Sequence, residues 1–208
     1  MLVAGTGGLA KQILEVLHQS NLLHDLVFFD INPDAPDKIL TFPVLKTIEQ
    51  ATNYFKKNSP FYIIGVSQPT KRQEFNELLI QNSGKPYTLI SQIARVSSLG
   101  TTFGQSISIL SYALVEPCVT IGEGTFLNIY SALTHDVTVG KYCEIGPGTI
   151  ICGGATIGNY CRIGTHSTIL PKVKIGDNVI IGAGAVVNKD ILSNATVVGV
   201  PARVIKKK

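Results

Sequence analysis

The chain lacks tryptophan, has one methionine, and has few charged residues, which make up 15% of its 208 positions. A charged fraction this low, beside 45% apolar residues, indicates that many side chains are buried in a packed core. The net charge of +4 is modest and the basic residues are scattered, so nucleic-acid binding is not expected. No apolar run approaches the ~18 residues of a membrane span, and no signal peptide is recognisable. These absences predict a soluble, cytoplasmic protein without membrane insertion.

Cysteine is also scarce, and the four cysteines include no C-x-x-C pair. That spacing is typical of zinc sites, so no metal site is predicted. Cys143 and Cys161 are 18 residues apart, and we interpret them as a reduced pair, as is usual in the cytosol.

What the chain has in abundance is a period of six residues. Every sixth position is aliphatic, and glycine follows many of these positions. Neither a helix, with a period of 3.6, nor a single strand, with a period of 2, produces this pattern. A hexapeptide repeat is a signature of a parallel β-helix. The aliphatic positions are Ile121, Leu127, Leu133, Val139, Ile145, Ile151, Ile157, Ile163, Ile169, Ile175, Ile181 and Val187.

Each repeat is predicted to form one short strand and a turn, with the aliphatic side chain pointing inwards. Three repeats make one triangular coil of 18 residues, so residues 18 apart, such as the two cysteines above, lie one above the other. The β-helix is predicted to begin near Val96 and to run for about five coils from Phe103 to Ile191. A final strand and turn over Thr196–Ile205 would cap it. We assign residues 86–208 to this domain.

Residues 1–85 show a different pattern, in which short apolar strands alternate with helical segments. This alternation predicts a small Rossmann-like parallel sheet covered by helices. The predicted strands are Leu2–Ala4, Leu26–Phe29, Pro43–Leu45 and Phe61–Ile64, and the predicted helices are Ala10–Leu17, Thr47–Lys57 and Gln68–Gln81.

Open parallel sheets bind ligands at the carboxyl ends of their strands. At that edge this chain places a glycine loop, an aspartate about 20 residues later, and a Gly-Val-Ser turn. The distance from the loop to the aspartate is the one dinucleotide-binding folds use for their ribose-binding acid, although the glycine fingerprint is incomplete at Ala10. Two interpretations remain: a nucleotide site, or loops that only connect the strands. The residues concerned are Gly5, Thr6, Gly7, Gly8, Asp30, Gly65 and Ser67.

The two halves together resemble the bacterial sugar O/N-acyltransferase family. That family includes sialic-acid O-acetyltransferases and N-acetyltransferases of nucleotide-linked 4-amino-4,6-dideoxysugars. The resemblance covers nearly the whole chain. It depends on the glycine loop from Gly5 to Lys11 with Asp30, the Gly65 turn with Arg72, Asn128, the sequence Thr134-His135-Asp136, and the Gly-Val-Pro-Ala-Arg segment ending at Arg203.

The resemblance implies a left-handed β-helix, a homotrimer, acetyl-CoA bound between neighbouring β-helices, and a nucleotide-activated amino sugar near the N-terminal domain. It also implies that Leu9 and Arg72 join the glycine-loop residues in contacting the sugar nucleotide. The chain departs from the family pattern at two positions. Leu9 stands where amino-sugar enzymes often have a histidine, and Glu144 stands where some members have a histidine that can contact acetyl-CoA.

His135 is the predicted general base. It lies in a repeat whose second residue is Thr134, where many other repeats have glycine. Departures from a regular sequence pattern tend to occur at functional sites. Asp136 follows directly, and two adjacent side chains on an extended strand can meet only at a corner. There the carboxylate would fix the tautomer of the imidazole. The family places its catalytic base at this position; the alternative is a solvated turn histidine.

The remaining predicted contacts are with acetyl-CoA. Gly153 follows His135 by 18 residues, so it should lie one coil along at the same corner, where its N–H could meet the thioester or pantetheine. His166 is interpreted as a turn or groove residue that could contact the cofactor. The other candidates are Glu144, Ala183, Gly184 and Arg203, the last of which could meet the CoA phosphates.

The resemblance therefore predicts an acetyl-CoA-dependent N-acetyltransferase. Its acceptor would be the amino group of a UDP- or dTDP-linked 4-amino-4,6-dideoxysugar in surface glycan biosynthesis. Two alternatives stay open: O-acetylation of a sialic-acid-type sugar, and a non-catalytic sugar-nucleotide-binding trimer. The pair of His135 and Asp136 disfavours the last, because a scaffold does not need it.

Overall fold

The computed structural model describes residues 1–207, so the last residue of the predicted second domain lies outside it. None of the helices within these residues has the length and apolar character needed to cross a bilayer. The N-terminal elements are β1 (Leu2–Ala4), α1 (Gly8–Gln19), β2 (Val27–Phe29), β3 (Lys38–Ile39), β4 (Phe42–Leu45), α2 (Ile48–Lys57), β5 (Phe61–Ile64), α3 (Pro69–Gln81) and β6 (Lys85–Pro86).

Apolar side chains on both faces of the strands explain the layering of this domain. The strand order is β3-β4-β2-β1-β5-β6, with every pair parallel except the hairpin of β3 and β4. Val3, Phe28 and Ile63 pack under α1, while the alternate residues of the same strands pack under α2 and α3. The predicted Rossmann-like sheet is confirmed. The predicted boundary at residue 85 falls within β6.

Strand β3 was not expected from the sequence, which showed only a turn-rich segment there. Lys38–Ile39 pairs antiparallel with the start of β4, across a turn in which Leu40 adopts a left-handed conformation with φ of 52°. A two-residue strand gives too little alternation to be recognised, and leucine is not a residue that marks such a turn.

The second domain is a triangular prism of two-residue strands. Its first face consists of β7 (Leu89–Ile90), β10 (Ser108–Ile109), β13 (Phe126–Leu127), β16 (Glu144–Ile145), β19 (Arg162–Ile163), β22 (Ile180–Ile181) and β24 (Ala195–Val198), with β25 (Arg203–Lys207) antiparallel to β24. The second face consists of β8 (Arg95–Val96), β11 (Leu114–Val115), β14 (Ala132–Leu133), β17 (Ile150–Ile151), β20 (Thr168–Ile169) and β23 (Val186–Val187). The third face consists of β9 (Thr102–Phe103), β12 (Thr120–Ile121), β15 (Thr138–Val139), β18 (Thr156–Ile157) and β21 (Lys174–Ile175).

The period of six is confirmed as the inward-facing row. None of its twelve aliphatic residues is more than 3% exposed, and together they form the continuous core of the prism. Glycine follows because the coils approach closely there: a Cβ on Gly122 would lie 2.5 Å from the carbonyl carbon of Gly140.

The β-helix begins earlier than predicted. Leu89 already pairs with Ser108, and Arg95 with Leu114, so two strands, β7 and β8, precede the five coils that the register indicated. Val96 and Phe103 are seven positions apart, not six, and this single insertion breaks the period.

We name each edge of the prism after one residue that lies on it. The Tyr130 edge joins the first and second faces, the His135 edge joins the second and third, and the Tyr142 edge joins the third and first. The chain turns at each edge through a residue with positive φ, repeated every 18 positions. On the His135 edge these residues are Gly100, Cys118, Asp136, Gly154 and Lys172.

The N-terminal domain lies across the first face of the prism. Its helix α1 packs against Leu89, Leu110 and Phe126. Gln12 donates to Asn128 beside the Tyr130 edge, at 3.4 Å, and Asn76 donates to the Tyr142 hydroxyl, at 3.0 Å. The His135 edge is therefore the edge opposite to the domain.

Candidate active site

A cleft of about 250 Å³ lies at the carboxyl edge of the parallel sheet, where a nucleotide was predicted. Eight of the predicted residues line it, together with four that were not predicted. The predicted ones are Gly5, Thr6, Gly7, Gly8, Leu9, Asp30, Gly65 and Ser67, and the others are Asn32, Val66, Lys71 and Phe75. Lys71 and Phe75 occupy positions i and i+4 of α3, so helical spacing after β5 could have identified them.

Asp30 is held as an acceptor in this cleft. Thr6 Oγ1 donates to its Oδ2 at 2.7 Å, and the backbone N–H of Asn32 donates to its Oδ1 at 3.0 Å. A carboxylate has lone pairs for about four hydrogen bonds, so Asp30 can still accept from sugar hydroxyls.

Another part of the cleft lining is suited to anions. Helix α1 begins at Gly8, and its N-cap residue, Gly7, has no side chain to cap the free N–H groups. A Cβ on Gly7 or Gly8 would meet nothing within 4 Å. Free N–H groups at a helix start attract phosphate, and the ammonium of Lys71 adds a full positive charge.

Arg72, predicted to contact substrate, does not line the cleft. It is 2% exposed and lies between the two domains, where it donates to Ser67 O at 2.8 Å and to Gly124 O at 3.0 Å. Its Cζ lies 5.1 Å from the centroid of Phe126. Burial lowers the pKa of its guanidinium to about 10, against the opposing effect of the Glu144 carboxylate, so it stays charged at neutral pH. Its two hydrogen bonds therefore connect Ser67, in the cleft wall, to Gly124 in the β-helix.

Two shallow grooves continue the cleft along the first face of the prism. The junction groove, of about 250 Å³, shares Gly8, Leu9 and Ser67 with the cleft and ends at Asn128 and Glu144. The upper groove, of about 310 Å³, runs from Glu144 past Arg162 to Ala183. Arg162 Nε donates to Glu144 Oε2 at 2.9 Å where the two grooves meet. The predicted nucleotide contacts are thereby connected to Glu144 and Ala183.

The His135 edge holds the predicted catalytic pair. His135 Nδ1 and Asp136 Oδ2 are 2.7 Å apart, and Asp136 has a φ of 60°, which turns the chain so that two adjacent side chains meet. Gly153 lies one coil along: a Cβ on it would be 2.6 Å from His135 Cε1 and Nε2. The imidazole therefore has Nδ1 on the carboxylate and Nε2 over the glycine backbone.

The other predicted cofactor contacts lie elsewhere. His166 and Gly184 are turn residues of the Tyr130 edge, and a Cβ on Gly148 would be 2.5 Å from the His166 ring. Arg203 begins β25, is exposed, and donates to its neighbour Ala202 O at 2.9 Å. Within one chain, the predicted catalytic pair therefore lies on the His135 edge, whereas His166 and Gly184 lie on the Tyr130 edge. The second face separates these two edges. Within residues 1–207, no group of three or more His, Cys, Asp or Glu side chains is arranged to hold a metal ion.

Gly153→Ala is expected to lower kcat about a hundredfold, because the new Cβ would displace the ring of the predicted base, His135. Misplacing a general base by about 1 Å can cost that much. The measurement is kcat for Gly153→Ala in wild-type and in His135→Ala backgrounds. In the second background there is no ring to displace, so Gly153→Ala should cost little more. Equal fold losses in both backgrounds would contradict the explanation.

Two family models match the chain. Residues 1–79 match the PglD N-terminal domain, and residues 118–153 and 154–189 match the bacterial transferase hexapeptide (six repeats). No curated protein sequence matches the chain.

Solved structures of three bacterial proteins share the fold. A mutant of perosamine N-acetyltransferase from Caulobacter crescentus, in complex with CoA and GDP-perosamine, has a TM-score of 0.92 at 22% identity, over 99% of this chain and 96% of that one. The acetyltransferase domain of PglB from Neisseria gonorrhoeae, in complex with acetyl coenzyme A, has a TM-score of 0.88 at 27% identity, over 98% of each chain. WeeI from Acinetobacter baumannii has a TM-score of 0.84 at 24% identity, over 98% of each chain.

These similarities confirm the predicted fold class, a Rossmann-like α/β domain followed by a left-handed β-helix. The matched models and the fold together show that the chain joins a PglD-type N-terminal domain to bacterial transferase hexapeptide repeats.

Proposed function

We propose that the protein transfers the acetyl group of acetyl-CoA to the amino group of a nucleotide-linked 4-amino-4,6-dideoxysugar. The observation that carries this proposal is the imidazole of His135, held by the Asp136 carboxylate at Nδ1 and lying with Nε2 over Gly153. Related structures bind CoA with GDP-perosamine, and acetyl coenzyme A, on the same fold.

The nucleotide part of the acceptor is assigned to the cleft of the N-terminal domain. Asp30 accepts from the ribose, while Lys71 and the free N–H groups at the start of α1 hold the diphosphate. The sugar then extends into the junction groove towards Asn128.

Acetyl-CoA supplies the acetyl group as an activated thioester. His135 Nε2 takes a proton from the sugar amine as its nitrogen bonds to the thioester carbon, and Asp136 keeps the proton of the neutral imidazole on Nδ1 so that Nε2 is free to do this. The C–S bond then breaks, and the proton on Nε2 passes to the departing CoA thiolate. The missing side chain of Gly153 leaves room for the ring, and its backbone N–H is the proposed donor to the thioester carbonyl, where negative charge develops. Glu144, His166, Ala183, Gly184 and Arg203 stay proposed contacts along the rest of the cofactor.

A homotrimer would complete the site. From β11 onwards the outward residues of the second face are mostly apolar, whereas the row of the third face is threonine with one lysine. The second-face residues are Arg95 on β8, then Leu114, Ala132, Ile150, Thr168 and Val186, and the third-face residues are Thr102, Thr120, Thr138, Thr156 and Lys174. Ile150 is 43% exposed in the single chain. If three second faces surround one axis, the His135 edge of one copy meets the Tyr130 edge of the next. His135 would then face the junction groove of the neighbouring copy.

We also propose a cytoplasmic location, where acetyl-CoA is available and where free thiols such as Cys143 and Cys161 stay reduced.

The proposal is tested by measuring CoA release with acetyl-CoA and a panel of UDP-, dTDP- and GDP-linked 4-amino-4,6-dideoxysugars. The controls are the same nucleotides carrying a 4-hydroxyl sugar, and free sialic acid. Turnover that needs both the nucleotide and the amine is expected. Turnover of free sialic acid alone would replace the proposal with O-acetylation, and no turnover of any acceptor would favour a binding scaffold.

A further inference from the structure

A second carboxylate contacts the backbone of His135. Glu116 Oε2 accepts the hydrogen bond from the His135 backbone N–H at 2.9 Å, although the two residues are 19 positions apart. Glu116 belongs to the preceding coil and directly precedes Pro117, the residue stacked beneath His135. No sequence pattern indicates this contact, because a glutamate at position 116 does not interrupt the repeat.

The Tyr142 edge shows how the same backbone position is satisfied elsewhere. There the N–H of Lys141 donates to the Asn159 side chain at 2.9 Å, and the N–H of Asn159 donates to Asp177 at 2.6 Å. In each case the acceptor stands at the same position of the next coil, 18 residues later.

The His135 edge cannot use that arrangement. The residue 18 positions after His135 is Gly153, which has no side chain, and a Cβ there would clash with the imidazole. Because the imidazole needs this space, position 153 carries no side chain that could accept a hydrogen bond from the His135 backbone N–H. Glu116 supplies an acceptor from the preceding coil.

We propose that Glu116 is a positioning residue for His135, which fixes the backbone of the base so that its ring stays over Gly153. The proposal depends on the function proposed above. The His135 side chain is 66% exposed, so packing restrains it little and hydrogen bonds must hold it. Asp136 fixes Nδ1 and Glu116 fixes the main chain, and the two constraints act on different atoms.

The test compares Glu116→Ala with Glu116→Gln, since the glutamine amide oxygen can still accept the bond. Glu116→Ala should lower kcat about tenfold or more through misplacement of the base, with KM for both substrates within about twofold of wild type. Glu116→Gln should recover most of that loss. Asp177→Ala is the matched control: it removes the same kind of bond at the Tyr142 edge and should leave kcat unchanged.

A second readout does not need turnover. Amide hydrogen exchange at His135, followed by NMR, should be faster in Glu116→Ala than in wild type and should return towards the wild-type rate in Glu116→Gln. If wild type turned over no acceptor, the proposed function would fail, and this exchange pattern would still support the contact. Wild-type exchange or wild-type kcat in Glu116→Ala would overturn the proposal, as would a Glu116→Gln variant as slow as Glu116→Ala.

Discussion

Replacing His135 with alanine is expected to lower kcat by about two orders of magnitude or more, the loss that removal of a general base commonly produces. The His135 ring is the group that the geometry presents for this role, with Nδ1 occupied by Asp136 and Nε2 over Gly153. Because the side chain is 66% exposed, its removal sacrifices little packing, and the thermal midpoint should stay close to that of wild type.

The chain offers a close control for this variant. His24 is also followed by an aspartate, its Nδ1 lies 3.0 Å from Asp25 Oδ2, and Asp25 also has a positive φ, of 53°. This second pair lies in the loop between α1 and β2. His24→Ala should therefore leave kcat unchanged, which would show that location, and not the His-Asp pair alone, confers activity.

The measurement is kcat and KM for acetyl-CoA and for the amino sugar nucleotide, with oligomeric state followed by sedimentation. The loss in His135→Ala should be in kcat, with the assembly intact. A His135→Ala variant with near-normal kcat would refute the proposed base, and an equal loss in His24→Ala would refute the assignment of the site to the His135 edge.

The neighbours of His135 are predictable because the repeat determines them. A strict spacing of 18 residues decides which residues stack, so the spacing alone places Gly153 beside His135. The same regularity explains why Asp136 can reach the imidazole: its position in the repeat is the turn residue of the edge. Within the β-helix, the number of residues between two positions therefore predicts whether they are in contact. This holds only for residues of the repeat.

Contacts between the domains could not be predicted in this way. Arg72 and Gly124 are 52 positions apart, and no period relates α3 to the β-helix. The family resemblance implied that Arg72 contacts the substrate, whereas its guanidinium is enclosed beside Phe126. Glu116 was missed for a related reason, because it acts from one position earlier in the preceding coil and on the backbone.

The faces of the prism also carry information that the inward row does not. The inward positions are aliphatic on all three faces, so they do not distinguish one face from another. The outward positions do: threonine recurs on the third face and apolar residues on the second. The second face lies between the two edges that hold the predicted site residues. Among substitutions outside the predicted site, we therefore expect one on this face to reduce activity most.

Ile150→Lys is therefore expected to dissociate the proposed trimer and to abolish most of the activity, although each chain still folds. Ile150 is the outward residue of β17 and is 43% exposed in the single chain, so lysine fits the monomer without loss of core packing. Around a threefold axis the substitution would bring three ammonium groups together in an apolar contact. An unpaired buried charge costs on the order of 3–5 kcal/mol.

The control is Thr120→Lys, the corresponding outward position of β12 on the third face. It adds the same charge to the same kind of strand and should leave both the assembly and kcat unchanged. Sedimentation and kcat, measured together over a range of protein concentrations, separate the two effects. A trimeric Ile150→Lys variant would contradict the assignment of the second face to the interface, and a fully active monomer would contradict the inference that His135 acts on the groove of a neighbouring copy.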